Sequence, residues 1–142
     1  MNAYFLYACQ VEYLQGLIAD ATAKGARVLN KGGGSVIDGS SGGSLMTPAV
    51  LYPVTADMRV YTEEQFGPVV PITVYDKESE LTEYFRSTSY GQQAAVFTSS
   101  SQTVATLVDL LSTSVGRVNI NTQCGRSPDQ VITTYTPDLT ST

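Results

Sequence analysis

The sequence predicts an α/β protein, a largely parallel sheet flanked by helices. Three observations carry that prediction. Two segments, from Val11 to Lys24 and from Ser101 to Leu111, repeat apolar residues at helical spacing. Short runs rich in Val, Ile, Tyr and Thr stand between glycine- and proline-marked turns. From Lys77 onward the two patterns alternate, and connections of this length favour βαβ units.

In chain order, Val11, Leu14, Leu17, Ile18 and Ala21 fall on one helical face, with Glu12, Gln15, Asp20 and Lys24 between them. Gly25 suits the position just past the last turn. Ala26-Arg27-Val28-Leu29 is a short strand. Lys31 to Ser35 and Gly39 to Gly43 read as a flexible surface loop. They are not a phosphate cradle, because no G-x-x-x-x-G-K-[ST] pattern occurs and no helix follows. Leu45 to Val54 is a strand punctuated by Pro48 and Pro53. Val69 to Tyr75 is another, and Pro71 within it points to a sheet edge or a bulge. Asp76 is placed to cap a helix that buries Leu81, Tyr84 and Phe85. Ala94 to Thr98 is a buried-type strand. Ser101 is the expected N-cap of the clearest helix, with Val104, Leu107, Val108 and Leu111 on its face. Arg117 to Asn121 is a short alternating strand. Residues 131–142 are Thr-rich, nearly uncharged and without helical period, and read as a loose tail.

The length of 142 residues fits one domain, and a hydrophobic fraction of 42% suffices for a core. The net charge of −5 argues against nucleic acid, whose phosphates need a basic face. No polybasic run suggests an anionic membrane surface. The chain has no histidine, which removes Ser-His-Asp and Cys-His catalysis and every His-containing metal site from it. Cys9 and Cys124 are far apart and form no C-x-x-C pattern, so no metal site is expected. Two reduced thiols in a cytoplasmic protein is the plain reading, with one disulfide left open. The first ten residues are apolar, but they lack a basic n-region and are too short to span a bilayer. They read as a helix lead-in, or as a start codon placed inside a longer gene.

The stretch Glu63-Glu64-Gln65-Phe66-Gly67-Pro68-Val69-Val70 is unusual for a plain turn. Turns favour Gly and Pro, but not a phenyl ring beside a carboxylate. Glu64 can accept hydrogen bonds from a pair of hydroxyls, and Gly67 admits close approach of a backbone or ligand. The pair could hold a sugar and a flat heterocycle at a strand mouth. The plainer reading makes Glu63 and Glu64 solvated and Phe66 part of the core.

Several motifs together resemble the aldehyde dehydrogenase superfamily. They are Ala19-Asp20-Ala21, Lys24-Gly25-Ala26, Thr47-Pro48, Asp57-Met58, Glu63 to Pro68, Tyr90-Gly91, Val96-Phe97-Thr98 and Gly116 to Asn121, in that order. The likeness runs from about Val11 to Asp129, and the E-E-x-F-G-P run is its most specific part. Asn119 to Asp129 is most similar to the NADP-dependent, non-phosphorylating glyceraldehyde-3-phosphate dehydrogenases. The resemblance implies that residues 1–130 are part of an aldehyde dehydrogenase catalytic domain, followed by a divergent tail, 131–142. It implies that Glu64 bonds the ribose hydroxyls next to nicotinamide and that Phe66 packs near that ribose. It also implies that Arg126 faces a substrate phosphate, which a guanidinium fork suits, although a solvated loop arginine fits the residue equally. NADP or NAD is the implied cofactor, with NADP taken from the subfamily likeness.

Departures from the family pattern are equally informative. The family's nucleophilic cysteine in its G-Q-x-C context, its general-base glutamate, its oxyanion-stabilising asparagine and its phosphate-binding turn are not in this sequence. Cys9 and Cys124 match no nucleophile, and Arg86 stands where the family commonly has Asn. No catalytic residue is therefore assigned. The chain alone is expected to be inactive and to bind no cofactor tightly. The alternative is a non-catalytic interaction or regulatory module derived from such an enzyme. A parallel sheet needs both faces covered. Exposed apolar area is therefore expected, with self-association or association with full-length subunits.

Overall fold

The computed structural model describes residues 4–5, 8–37 and 45–125. The chain divides into two compact units, Met1–Glu80 and Leu81–Thr142. The first contains β1 (Tyr4–Phe5), α1 (Ala8–Ala23), β2 (Arg27–Val28), β3 (Leu45–Met46), β4 (Ala49–Tyr52), α2 (Arg59–Thr62) and β5 (Val69–Pro71). A further helix, α3 (Glu78–Ser87), starts at its end. The second contains β6 (Ala94–Val96), α4 (Ser101–Ser112) and β7 (Val118–Ile120). The class is α/β, with helices packed beside short sheets.

The core of the first unit forms where the α1 stripe meets the sheet. Leu14, Leu17 and Ala21 are fully buried against Met46, Leu51, Met58, Val60 and Val69. Burying one such leucine is worth roughly 1.5–3 kcal/mol, so this stripe is what fixes α1 in place. The helix stops as its sequence indicates. Gly25 takes φ +106°, the Ala26 N–H donates to the Ala21 carbonyl at 2.9 Å, and the Gly25 N–H donates to that of Thr22 at 3.2 Å.

Strand β4 is central. It pairs antiparallel with β2 and parallel with β5, in the register Ala49↔Val69, Val50↔Val70 and Leu51↔Pro71. Strand β1 pairs antiparallel with β3, and β6 pairs parallel with β7. Among the described residues, parallel pairing is thus confined to β4–β5 and β6–β7. The predicted strand from Val69 to Tyr75 stops at Pro71, which lies on the edge strand as its missing N–H requires. Beyond it the Ile72 N–H donates to the Leu51 carbonyl and the Val54 N–H to that of Ile72, both at 2.9 Å, and the Thr73 hydroxyl donates to the Val54 carbonyl at 2.7 Å. Helix α2 went unpredicted because four residues carry no period; the burial of Val60 holds it.

In the second unit, Val96, Leu107 and Leu111 form the core, with Leu81, Phe85, Leu110, Val115 and Val118 packed round them. The N-cap of α4 is Ser100, not Ser101: its hydroxyl accepts from the Thr103 N–H at 3.2 Å, the third helical residue an N-cap serves. Ahead of α3, Glu80 reaches back to accept from the Asp76 N–H at 3.2 Å. Tyr84 is half-buried, edge-on to Phe85. The strand predicted as buried keeps only Val96 inside, and Phe97 is exposed. After β7, Asn121 takes φ +52°, a left-handed conformation Asn tolerates. Its amide accepts from the Thr98 N–H at 3.0 Å and donates to the Thr98 carbonyl at 3.1 Å, prolonging the β6–β7 join. Residues 131–142 lie outside the described residues, as do residues 38–44.

Candidate functional site

Residues Glu63 to Pro68 join α2 to β5, and their backbone is held from behind. Three side chains at i, i+3 and i+4 on α1 reach them. The Gln10 Nε2 donates to the Phe66 carbonyl. The Tyr13 hydroxyl donates to Glu63 Oε2 at 3.0 Å and lies 3.2 Å from the Glu64 carbonyl oxygen. Leu14 fills the space beside Gly67. From α2, Arg59 donates through Nε and Nη2 to both Glu63 carboxylate oxygens, at 2.7 and 3.0 Å. Its guanidinium lies 6.0 Å from the Tyr13 ring centre. Within the loop, Gln65 donates to the Val69 carbonyl at 2.9 Å and accepts from the Gly67 N–H at 2.8 Å.

These contacts leave the Glu64 and Phe66 side chains facing outward. Glu64 is exposed, and Phe66 is 77% exposed, so the core reading of Phe66 is wrong. A ring that large is left in water because the loop backbone, not its side chain, is what the helices grip.

Carboxylates order the supporting residues. The Arg59 backbone N–H donates to Asp20 Oδ2 at 2.9 Å, and Lys24 pairs with Asp20 Oδ1 at 2.9 Å. The Arg59 N–H, then Lys24, hold the Asp20 carboxyl below its ordinary value. Hydrogen bonds from Arg59, with Tyr13 adding to them, do the same for Glu63, and Glu63 in turn raises Arg59. The Thr55 hydroxyl lowers Asp57. Lowered carboxyls bind fewer protons folded than unfolded near pH 4. Their stabilisation is therefore complete above the ordinary carboxylate range and lost as pH falls through the lowered values. Chemical denaturation should give flat stability from neutral pH down to about 5 and a decline below that. In Asp20→Asn with Glu63→Gln the decline should be shallower. Since these groups lie at the surface within reach of water, the effect is modest.

Elsewhere, Cys9 is an exposed thiol in the first turn of α1, and Cys124 is an exposed thiol whose sulfur lies 3.5 Å from Asn119 Nδ2. Arg126 lies outside the described residues. An open cleft of about 760 Å³ in the second unit is lined by Tyr84, Phe85, Tyr90, Gln93, Val115 and Cys124 among others. Gln93 Oε1 in its wall has no hydrogen-bond partner among the described residues. No charged residue among the described residues lines this cleft. No helix among the described residues is long and apolar enough to cross a membrane. The sequence reading missed Gln10, Tyr13 and Arg59 as supports of the Glu64 loop. The usable signal was their helical spacing with Leu14, but nothing local pairs α1 with a loop fifty residues away.

Known proteins resemble this chain in sequence and in fold. A family model described as the aldehyde dehydrogenase family matches residues 7–134. The NADP-dependent glyceraldehyde-3-phosphate dehydrogenase of Streptococcus equinus is 36% identical over 118 residues, 83% of this chain and 23% of that protein. That of Arabidopsis thaliana is 32% identical over 82% of this chain and 22% of its own length. Among solved structures, the Bacillus halodurans NADP-dependent glyceraldehyde-3-phosphate dehydrogenase complexed with NADP superposes with a TM-score of 0.71 at 35% identity, covering 85% of this chain and 24% of that one. The lactaldehyde dehydrogenase of Escherichia coli gives 0.73 at 26% identity, over 85% and 24% of the two chains. The chain thus spans under a quarter of the length of these two enzymes from S. equinus and A. thaliana. With the motif order, the α/β fold and the family match in agreement, the chain belongs to the aldehyde dehydrogenase family.

Proposed function

We propose that the Glu63 to Pro68 loop is one wall of a nicotinamide nucleotide site, in a chain whose family chemistry is oxidation of an aldehyde with NADP. The observation that carries this is the contrast in the loop: its backbone is held by α1 and α2, while Glu64 and Phe66 face outward. The two side chains fit one face of a nicotinamide riboside. A carboxylate can accept from both ribose hydroxyls, and a phenyl ring can pack on the sugar or the heterocycle. The cofactor, when bound, supplies the hydride acceptor. Likeness to glyceraldehyde-3-phosphate dehydrogenases favours glyceraldehyde 3-phosphate as substrate, with Arg126 toward its phosphate. Residues 1–130 then form the aldehyde dehydrogenase part and 131–142 a tail. No residue here takes the role of the nucleophile, so this stretch by itself performs no turnover.

Saturation-transfer NMR with NADP in large excess tests the wall. Weak transfer to the nicotinamide and adjoining ribose protons is expected, lost in Glu64→Gln and Phe66→Ala, with no reduced cofactor formed when glyceraldehyde 3-phosphate is added. Absence of transfer in the unaltered chain, or its persistence in both variants, defeats the reading. A second reading, an interaction module that associates with itself or with full-length subunits, is favoured by Val70, Ile72, Val74 and Tyr75. These are exposed on and just past edge strand β5. Sedimentation that stays monomeric at rising concentration, alone and with a full-length relative, removes it.

A further inference from the structure

We infer that Tyr13 and Arg59 are positioning residues for Glu64 and Phe66, an inference that rests on the nucleotide-wall reading of the loop. Glu63 immediately precedes Glu64, and its carboxylate is bonded at both oxygens. Arg59 takes both oxygens, at 2.7 and 3.0 Å, and Tyr13 takes one of them again at 3.0 Å. The same Tyr13 hydroxyl stands 3.2 Å from the Glu64 carbonyl oxygen, so it meets the residue that faces the ligand through its main chain. Arg59 is itself fixed: its backbone N–H is bound by Asp20 and its guanidinium lies over the Tyr13 ring. Gln10 holds the carbonyl of Phe66 from the same helix. The first glutamate of the pair is therefore an anchor and the second the ligand-facing group.

An outward side chain on a loose loop would lose rotational freedom on meeting a ligand, and a prearranged one loses less. Tyr13 and Arg59 touch no ligand on this reading. They act through Glu63 and the main chain of Glu64.

The full chain is used for the test, with Tyr13→Phe, which removes one oxygen and no packing group, with Arg59→Gln, and with Arg59→Lys, which keeps the charge but not the fork. Backbone order parameters at Glu64, Gln65 and Phe66 should be near 0.85 in the unaltered chain, fall toward about 0.6 in Tyr13→Phe and Arg59→Gln, and stand between the two in Arg59→Lys. Those of β2 and β4 should not move. Saturation transfer from the chain to NADP nicotinamide protons should fall about threefold or more in Tyr13→Phe and Arg59→Gln. Unchanged order parameters in both variants overturn the inference whatever the nucleotide does. A loosened loop with transfer equal to the unaltered chain overturns it alone. Transfer missing already in the unaltered chain defeats the wall reading, and this inference with it.

Discussion

Replacing Gly91 with alanine is expected to unfold the β6–β7 region at temperatures where the unaltered chain keeps it. A Cβ at this position would lie 2.2 Å from the Ser114 carbonyl oxygen and 3.5 Å from the Val115 Cα. The obstacle is backbone, so no side chain can swing aside. Retreat is also blocked, because the Gly116 N–H donates to the Gly91 carbonyl at 2.8 Å across the same gap. Either the clash stays or that bond breaks. Overpacking of this kind together with one lost backbone hydrogen bond costs about 3 kcal/mol, a large part of a small domain's stability. Thermal unfolding by circular dichroism, with amide exchange at Gly116 and Asn121, measures it. A variant within about 0.5 kcal/mol of the unaltered chain would show that the two segments are not this close.

Gly67→Ala should be the corresponding change in the first unit, at about 2 kcal/mol. Here the added Cβ would lie 2.2 Å from Leu14 Cδ1 and 2.9 Å from Cδ2. The neighbour is a side chain, but Leu14 is 0% exposed and has no empty space to turn into. A double-mutant cycle isolates the contact. Leu14→Ala alone should cost roughly 2–5 kcal/mol through its cavity. With Gly67→Ala added, the cost should be clearly less than the two single costs together, because the new methyl then has room. Simple additivity would mean that Leu14 and Gly67 do not meet.

Local pattern carried much of this fold. The α1 stripe was legible because buried leucines recur at helical spacing, and Gly25 was legible because its positive φ is a glycine conformation. Strand lengths were less so. Nothing in Val69 to Tyr75 says that pairing ends at Pro71; that depends on how far β4 extends beside it. One serine separated the expected cap from Ser100, since both residues can cap and only geometry chooses. At the site, the ordering of two glutamates and a phenyl ring marked the loop, and the resemblance gave Glu64 and Phe66 their roles. The exposure of Phe66 could not be foreseen, because its apolar ring looks the same in a core. Tyr13 and Arg59 were invisible for a different reason: their importance lies in a contact across fifty positions, and composition records no such distances.

Helix α1 presents Leu14 to the core and to Gly67, and Tyr13 beside it to Glu63. Each residue advances a helix by about 100°. A single inserted or deleted codon between Leu14 and Leu17 would therefore turn the anchoring hydroxyl and the packing leucine away from the rest of the buried stripe in one step. Descendants of this chain can exchange individual side chains here, but they cannot change its reading length without giving up the interior and the loop at once.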